Sequence, residues 1–144
     1  MSAAASMRHH RPADGDARED AVRHILQGAL ADLRGAVTDV IGAIIASVDG
    51  RPMAHDVRTG DPSSIAAMAA TAAGLGKRIV DGFEFGRFAE CVVRAEGGYF
   101  VVYSVGRVGV LAVMASEGAN LGRVHLAARR CATTVAGALE GGSS

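Results

Sequence analysis

The chain of 144 residues and 14.7 kDa is long enough for one domain plus a tail, and its fifteen basic and fifteen acidic residues cancel. A net charge of zero removes the usual electrostatic ground for a nucleic-acid or anionic-membrane binder, whose phosphate affinity rests on an excess of Lys and Arg. With 49% hydrophobic and only 4% aromatic residues, a core is available but must be built from Ala, Val, Ile and Leu, and disorder over most of the length is excluded.

Residues 1–18 carry charge, Pro and Gly without an apolar run, so they are expected to be a disordered arm rather than a signal peptide. The folded domain is expected over 19–140, with 141–144 a disordered C-terminal end. From Asp20 the apolar residues Val22, Ile25, Leu26, Ala29, Leu30, Leu33 and Val37 recur at helical steps, and Gly35 is a stop signal. Residues 40–48 (VIGAIIASV) are continuously apolar, as in a strand covered on both faces. Asp49-Gly50 then predicts a tight hairpin with both central residues at positive φ. The return strand, 51–57, contains Pro52, which cannot donate to a ladder and places that strand at a sheet edge.

Ser63 or Ser64 is the expected cap of a second helix running to about Val80, with Pro62 outside it. Strands are predicted over 88–95, 99–105 and 108–114, separated by Gly97-Gly98 and Gly106-Arg107. A last helix opens at Asn120, a good N-cap, and carries Leu121, Val124, Ala128, Cys131, Val135 and Leu139 as its stripe. The order α-β-β-α-β-β-β-α is met most economically by an α+β fold with one five-stranded antiparallel sheet.

The second helix has no charged face. Ile65, Met68, Ala72, Leu75 and Ile79 form one stripe, sufficient to pack on a sheet. The remaining surface, from Ala66 to Gly76, is Ala, Gly and one Thr. Leaving roughly 400 Å² of such surface in water forgoes about 10 kcal/mol of gross hydrophobic stabilisation. That surface is expected to meet a second copy of the chain across a two-fold axis. The strand at 88–95 is the other candidate edge, and antiparallel self-pairing about Val92 sets Glu90 opposite Arg94. The expected dimer or partner interface is therefore Ile65, Ala66, Met68, Ala69, Ala70, Ala72, Ala73 and Gly76 on the helix, with Glu90, Val92 and Arg94 on the strand.

Catalytic patterns are missing. Gly74-Leu75-Gly76-Lys77 is not a phosphate loop, since Thr71 stands where the first Gly belongs and Arg78 where Ser or Thr belongs. Val-Tyr-Ser104-Val-Gly is no nucleophile elbow. His9, His10, His24, His55 and His125, with Cys91 and Cys131, show no metal-ligand spacing. His55 beside Asp56 is expected at the surface, and His125 as a hydrogen-bonded residue at the core boundary. Both cysteines are expected to act as small buried hydrophobes. Arg123, Arg129 and Arg130 form a basic cluster, suited to solvent or to an acidic partner. No cofactor, catalytic residue or metal site is expected.

Residues 42–50 (GAIIASVDG) running into Arg51-Pro52-Met53, the alanine-rich second helix, residues 109–115 (GVLAVMA) and Ala119-Asn120-Leu121-Gly122 together resemble the roadblock (dynein light-chain) family. The resemblance spans about residues 20–140. It implies a profilin-like three-layer sandwich with helices 1 and 3 on one sheet face and helix 2 on the other. It also implies dimers joined through the second helices and third strands, which bind and regulate small Ras-like GTPases. Bacterial members often accompany a GTPase and, in some operons, a sensor-kinase-like protein; an arginine finger is not implied for Arg78, Arg87 or Arg107. Fourteen Arg against one Lys, Lys77, suit a GC-rich bacterial genome. No uncharged stretch reaches the roughly 18 residues of a membrane span, and a soluble cytoplasmic protein is expected. The competing expectation is a small-molecule sensor of profilin or PAS type, its pocket lined by Tyr99, Phe100 and Tyr103.

Overall fold

The structure, a computed structural model, describes residues 13–141. The elements run α1 (Ala13–Ala36), β1 (Val40–Ser47), β2 (Pro52–Asp56), α2 (Pro62–Phe83), β3 (Glu90–Ala95), β4 (Gly98–Val105), β5 (Gly109–Ser116) and α3 (Leu121–Gly141). This is the expected order. Helix α1 starts earlier than the apolar pattern indicates, so residues 13–18 of the predicted arm are helical. Residues 16–21 face solvent and need no apolar stripe, while Asp16, Glu19 and Asp20 suit a helix N-terminal half. Residues 1–12 of the predicted arm and 142–144 of the predicted end lie outside the described residues; Gly141 closes α3.

The sheet order is β2-β1-β5-β4-β3, antiparallel throughout, with β2 and β3 at the edges. Alternating residues sort to its two faces. Ala43, Ile45, Val101, Tyr103, Leu111 and Val113 pack with α1 and α3 residues such as Leu30, Leu33, Val124 and Val135. Ile44, Ala46, Val102, Val110 and Ala112 pack with α2. Three layers result, as the resemblance implies. The Arg34 guanidinium donates to the Asp56 carboxylate at 2.9 Å, tying the end of α1 to the end of β2.

Two local expectations are corrected. The β1–β2 connection is the four residues 48–51, closed by Ser47 N–H donating to Arg51 C=O at 2.8 Å, and within it Gly50 alone has positive φ, 88°. A turn closed by Gly50 N–H donating to Ser47 C=O at 3.0 Å, with the one positive φ at the glycine, makes this bend, so Asp49 needs no positive φ. At α2 the cap is Asp61, whose carboxylate accepts from Ser64 N–H at 3.3 Å and Ser64 O–H at 3.0 Å. Pro62 then occupies the first turn, where its missing N–H leaves no intrahelical bond unmade. The last helix opens as expected, with Asn120 Oδ1 accepting from Arg123 N–H at 3.1 Å.

Candidate functional site

Among the described residues, Ile25, Ile41, Val48, Val108 and Leu126 are exposed at other places in the fold, while the outer side of α2 and edge strand β3 together carry Met68, Leu75, Ile79, Val92 and Val93. Ile65, Ala66, Ala69 and Ala73 are buried against β1, β4 and β5. Met68, Leu75 and Ile79 are 56%, 57% and 49% exposed. The orientation expected from the sequence is therefore reversed for most of the helix: the alanine face meets the sheet and the large side chains point away. The sheet supplies its own bulk through Ile44, Val102 and Val110, so only small residues let the helix axis come close enough to exclude water. The fit is tight at the β1–β2 turn, where a Cβ on Gly50 would stand 3.2 Å from the Ala67 Cα.

The expected interface residues consequently divide. Ile65, Ala66, Ala69 and Ala73 are used up by the chain's own core and are unavailable to a second molecule. Ala70, Ala72 and Gly76 are half-buried on the flanks. Met68 remains exposed, and the structure adds Leu75 and Ile79, which the sequence reading assigned to the sheet. Beyond Ile79 the apolar surface continues into Phe83 and Phe85, whose rings stack at 5.4 Å between centroids. Both are exposed, and Glu84 between them ends α2 in the left-handed region at φ 56°.

On β3, Val93 pairs with Phe100 on the α2 side of the sheet, while Val92 pairs with Val101 on the side of α1 and α3. Val92 and Val93 are 41% and 51% exposed, and the outer backbone groups of this strand have no neighbouring strand. Arg94 faces solvent. Glu90 does not stand free: the Arg129 guanidinium donates to its Oε1 at 2.7 Å, fastening β3 to α3. Sequence reasoning treated Arg129 as a solvated cluster residue because the 39 positions between the two hide the contact.

His9 and His10 lie outside the described residues, and the remaining polar candidates within them stand apart from one another. Gly74-Leu75-Gly76-Lys77 lies within α2, where the backbone N–H groups are committed to helical bonds. His55 is exposed on β2, and the neighbouring Asp56 is held by Arg34. The Tyr103 hydroxyl and His125 share a hydrogen bond beside the core, as expected of a boundary histidine. Burial, with the Glu90 carboxylate nearby, pushes the Tyr103 phenol up. Burial, aided by Asp32, likewise pushes the Cys131 thiol up to about 11, so it is a poor nucleophile. Cys91 is half-buried on the α2 side of β3. Among the described residues no three His, Cys, Asp or Glu side chains could together hold a metal ion, and no helix is long and apolar enough to cross a membrane. Tyr99, Phe100 and Tyr103 do not line one pocket, because Phe100 lies on the opposite sheet face from the two tyrosines.

The Roadblock/LC7 domain family model matches residues 26–115. No curated protein matches the chain significantly. Among solved structures, an MglB "with tetrameric arrangement" superposes with a TM-score of 0.77 at 22% identity, covering 83% of this chain and 91% of that one. A Roadblock/LC7 domain from Streptomyces avermitilis gives 0.74 at 22% identity, covering 79% and 97%. Profilin from Schizosaccharomyces pombe gives 0.58 at 11% identity, covering 77% and 96%. At such identities the likeness concerns the fold, a three-layer profilin-like sandwich.

Proposed function

The chain belongs to the Roadblock/LC7 domain family, and on that basis we propose that it is a non-catalytic homodimeric adaptor that binds and regulates a small Ras-like GTPase. The observation that carries this reading is the outer face of α2, where Met68, Leu75 and Ile79 stand exposed beside the unpaired edge of β3. An apolar helix face next to an open strand offers side-chain and backbone complementarity at once.

Magnitudes indicate that both parts are needed. Covering three half-exposed side chains on each of two copies contributes about 5–9 kcal/mol gross. Association costs about 4–15 kcal/mol, so the helix contact alone is marginal. Antiparallel pairing of two β3 strands about Val92 supplies further hydrogen bonds and sets Arg94 of one copy against Glu90 of the other. Glu90, already bonded to Arg129, then sits between two guanidinium groups. The dimer contact is thus Met68, Ala72, Leu75, Ile79, Glu90, Val92 and Arg94, flanked by Ala70 and Gly76. Ile65, Ala66, Ala69 and Ala73 set the height of the helix above the sheet.

A dimer surface regulates a GTPase by binding one arrangement of its switch segments in preference to another. Light scattering at micromolar concentration is expected to give twice the chain mass. Mixed with a Ras-like GTPase encoded beside its gene, in both nucleotide states, the dimer is expected to bind one state more tightly and to alter GTP turnover. Binding without altered turnover reduces the role to a scaffold. A monomer, or no binding in either state, overturns the reading.

A further inference from the structure

The C-terminal third of α2, the loop after it and the β4–β5 turn line an open pocket of 540 Å³ that the adaptor surface does not use. Lys77, Arg87 and Arg107 reach it from these three segments, against a single carboxylate, Asp81. Ion pairs among the described residues are Arg34–Asp56, Arg51–Asp49 and Arg129–Glu90, so none of the three pocket cations has a carboxylate partner. Ser104, half-buried in the same wall, donates its hydroxyl to no described residue.

The backbone that carries the cations is held in place, while the Arg87 and Arg107 side chains are exposed. Phe88 is wedged over Gly76, where a Cβ would overlap its ring, and this contact fixes the loop carrying Arg87. The carboxylate of Glu140 accepts from Arg107 N–H at 3.3 Å, which pins the β4–β5 turn to the end of α3. Lys77 is half-buried on α2. Three cations against the Asp81 carboxylate in the lining and the Glu140 carboxylate behind the β4–β5 turn leave an excess of positive charge, and an anion in the pocket relieves the remaining repulsion.

We propose that this pocket is a binding site for a phosphate-type oxyanion, held by Lys77, Arg87 and Arg107 with Ser104 as a hydroxyl donor. A planar carboxylate is satisfied by one guanidinium fork. Two guanidinium groups, an ammonium and a hydroxyl converging from three segments suit a tetrahedral, doubly charged group instead. The source is inorganic phosphate or the phosphate chain of a nucleotide. The site does not rest on the dimer or on the GTPase.

The test is an amide NMR titration of the full chain with inorganic phosphate, pyrophosphate and GDP at about 150 mM salt, where diffuse surface attraction is screened. Saturable shifts confined to Lys77, Arg87, Ser104 and Arg107 are expected. Arg87→Ala and Arg107→Ala should each weaken binding about tenfold, while Arg58→Ala, on the far side of the sheet's other end, leaves it unchanged. GDP binding more tightly than pyrophosphate identifies a nucleotide as the source; equal affinity identifies the free anion. No saturation up to about 20 mM, or equal weakening by Arg58→Ala, overturns the site. Tighter binding of poly-glutamate than of pyrophosphate also overturns it, in favour of an acidic protein segment.

Discussion

The Tyr103 hydroxyl lies 2.7 Å from His125 Nδ1, with the two rings edge to face at 5.7 Å between centroids. Burial keeps the phenol protonated, the hydroxyl and the imidazole share one hydrogen bond, and β4 is joined to α3 by a polar contact at the margin of an apolar core. Tyr103→Phe is expected to cost about 1–2 kcal/mol, since His125 is only half-buried and recovers a water partner. Denaturant unfolding of the two proteins, with an unchanged m-value, checks this.

The reversed orientation of α2 makes two substitutions on one helix behave oppositely. Leu75→Glu, at an exposed position, should leave the melting temperature of the isolated fold nearly unchanged while light scattering falls to the monomer mass. Ala69→Leu, at a position buried on the sheet, should cost about 1–3 kcal/mol through overpacking. A Leu75→Glu protein that stays dimeric would place the contact elsewhere.

Glycines within α2 give a second contrasting pair. Gly74 has nothing within 4 Å of an added Cβ, so Gly74→Ala should stabilise by about 0.5–1 kcal/mol through helix propensity. Gly76→Ala would drive a methyl into the Phe88 ring and should destabilise by about 1–3 kcal/mol. Thermal melts of both variants settle the matter; a stabilising Gly76→Ala would show that Phe88 moves aside freely.

Stability should fall at alkaline pH. The folded Cys131 thiol titrates near about 11 rather than 9.0, so its protonated form is favoured by folding. Its contribution is complete below pH 9.0 and is lost as pH rises through about 11, and Tyr103 adds to the loss above its own ordinary range. The Cys131 part is about 2–3 kcal/mol. Cys131→Ala should start from a lower stability but decline less steeply between pH 9 and 11. Thiol labelling of the folded protein at pH 8 should correspondingly modify Cys91 before Cys131, which is 5% exposed.

Much of the sandwich was legible from residue patterns alone. Pro52 marked one sheet edge, the continuous run from Val40 marked a strand covered on both sides, and Asn120 marked the start of α3. The facing of α2 was not legible, because ranking its positions by size presumes that large side chains seek the core. Here Ile44, Val102 and Val110 already fill that layer from the sheet side, a fact that lives in the strands' alternation rather than in the helix. The start of α1 was hidden for a different reason, since its first turns touch nothing apolar and leave no periodic trace. Of the candidate surface, Met68, Val92 and Arg94 were found from sequence, whereas Leu75 and Ile79 required the fold.

The two margins of the sheet are unlike, and growth is possible along one alone. Strand β2 is five residues long and begins with Pro52, whereas β3 is bare and carries no proline. Joining two molecules along β3 consumes both receptive margins and turns a proline-bearing strand outward at either end of a ten-stranded ribbon, a number that follows from two five-stranded sheets. The proposed assembly would terminate itself at two subunits, so the same exposed margin that could otherwise seed a fibre would be spent in making a closed pair.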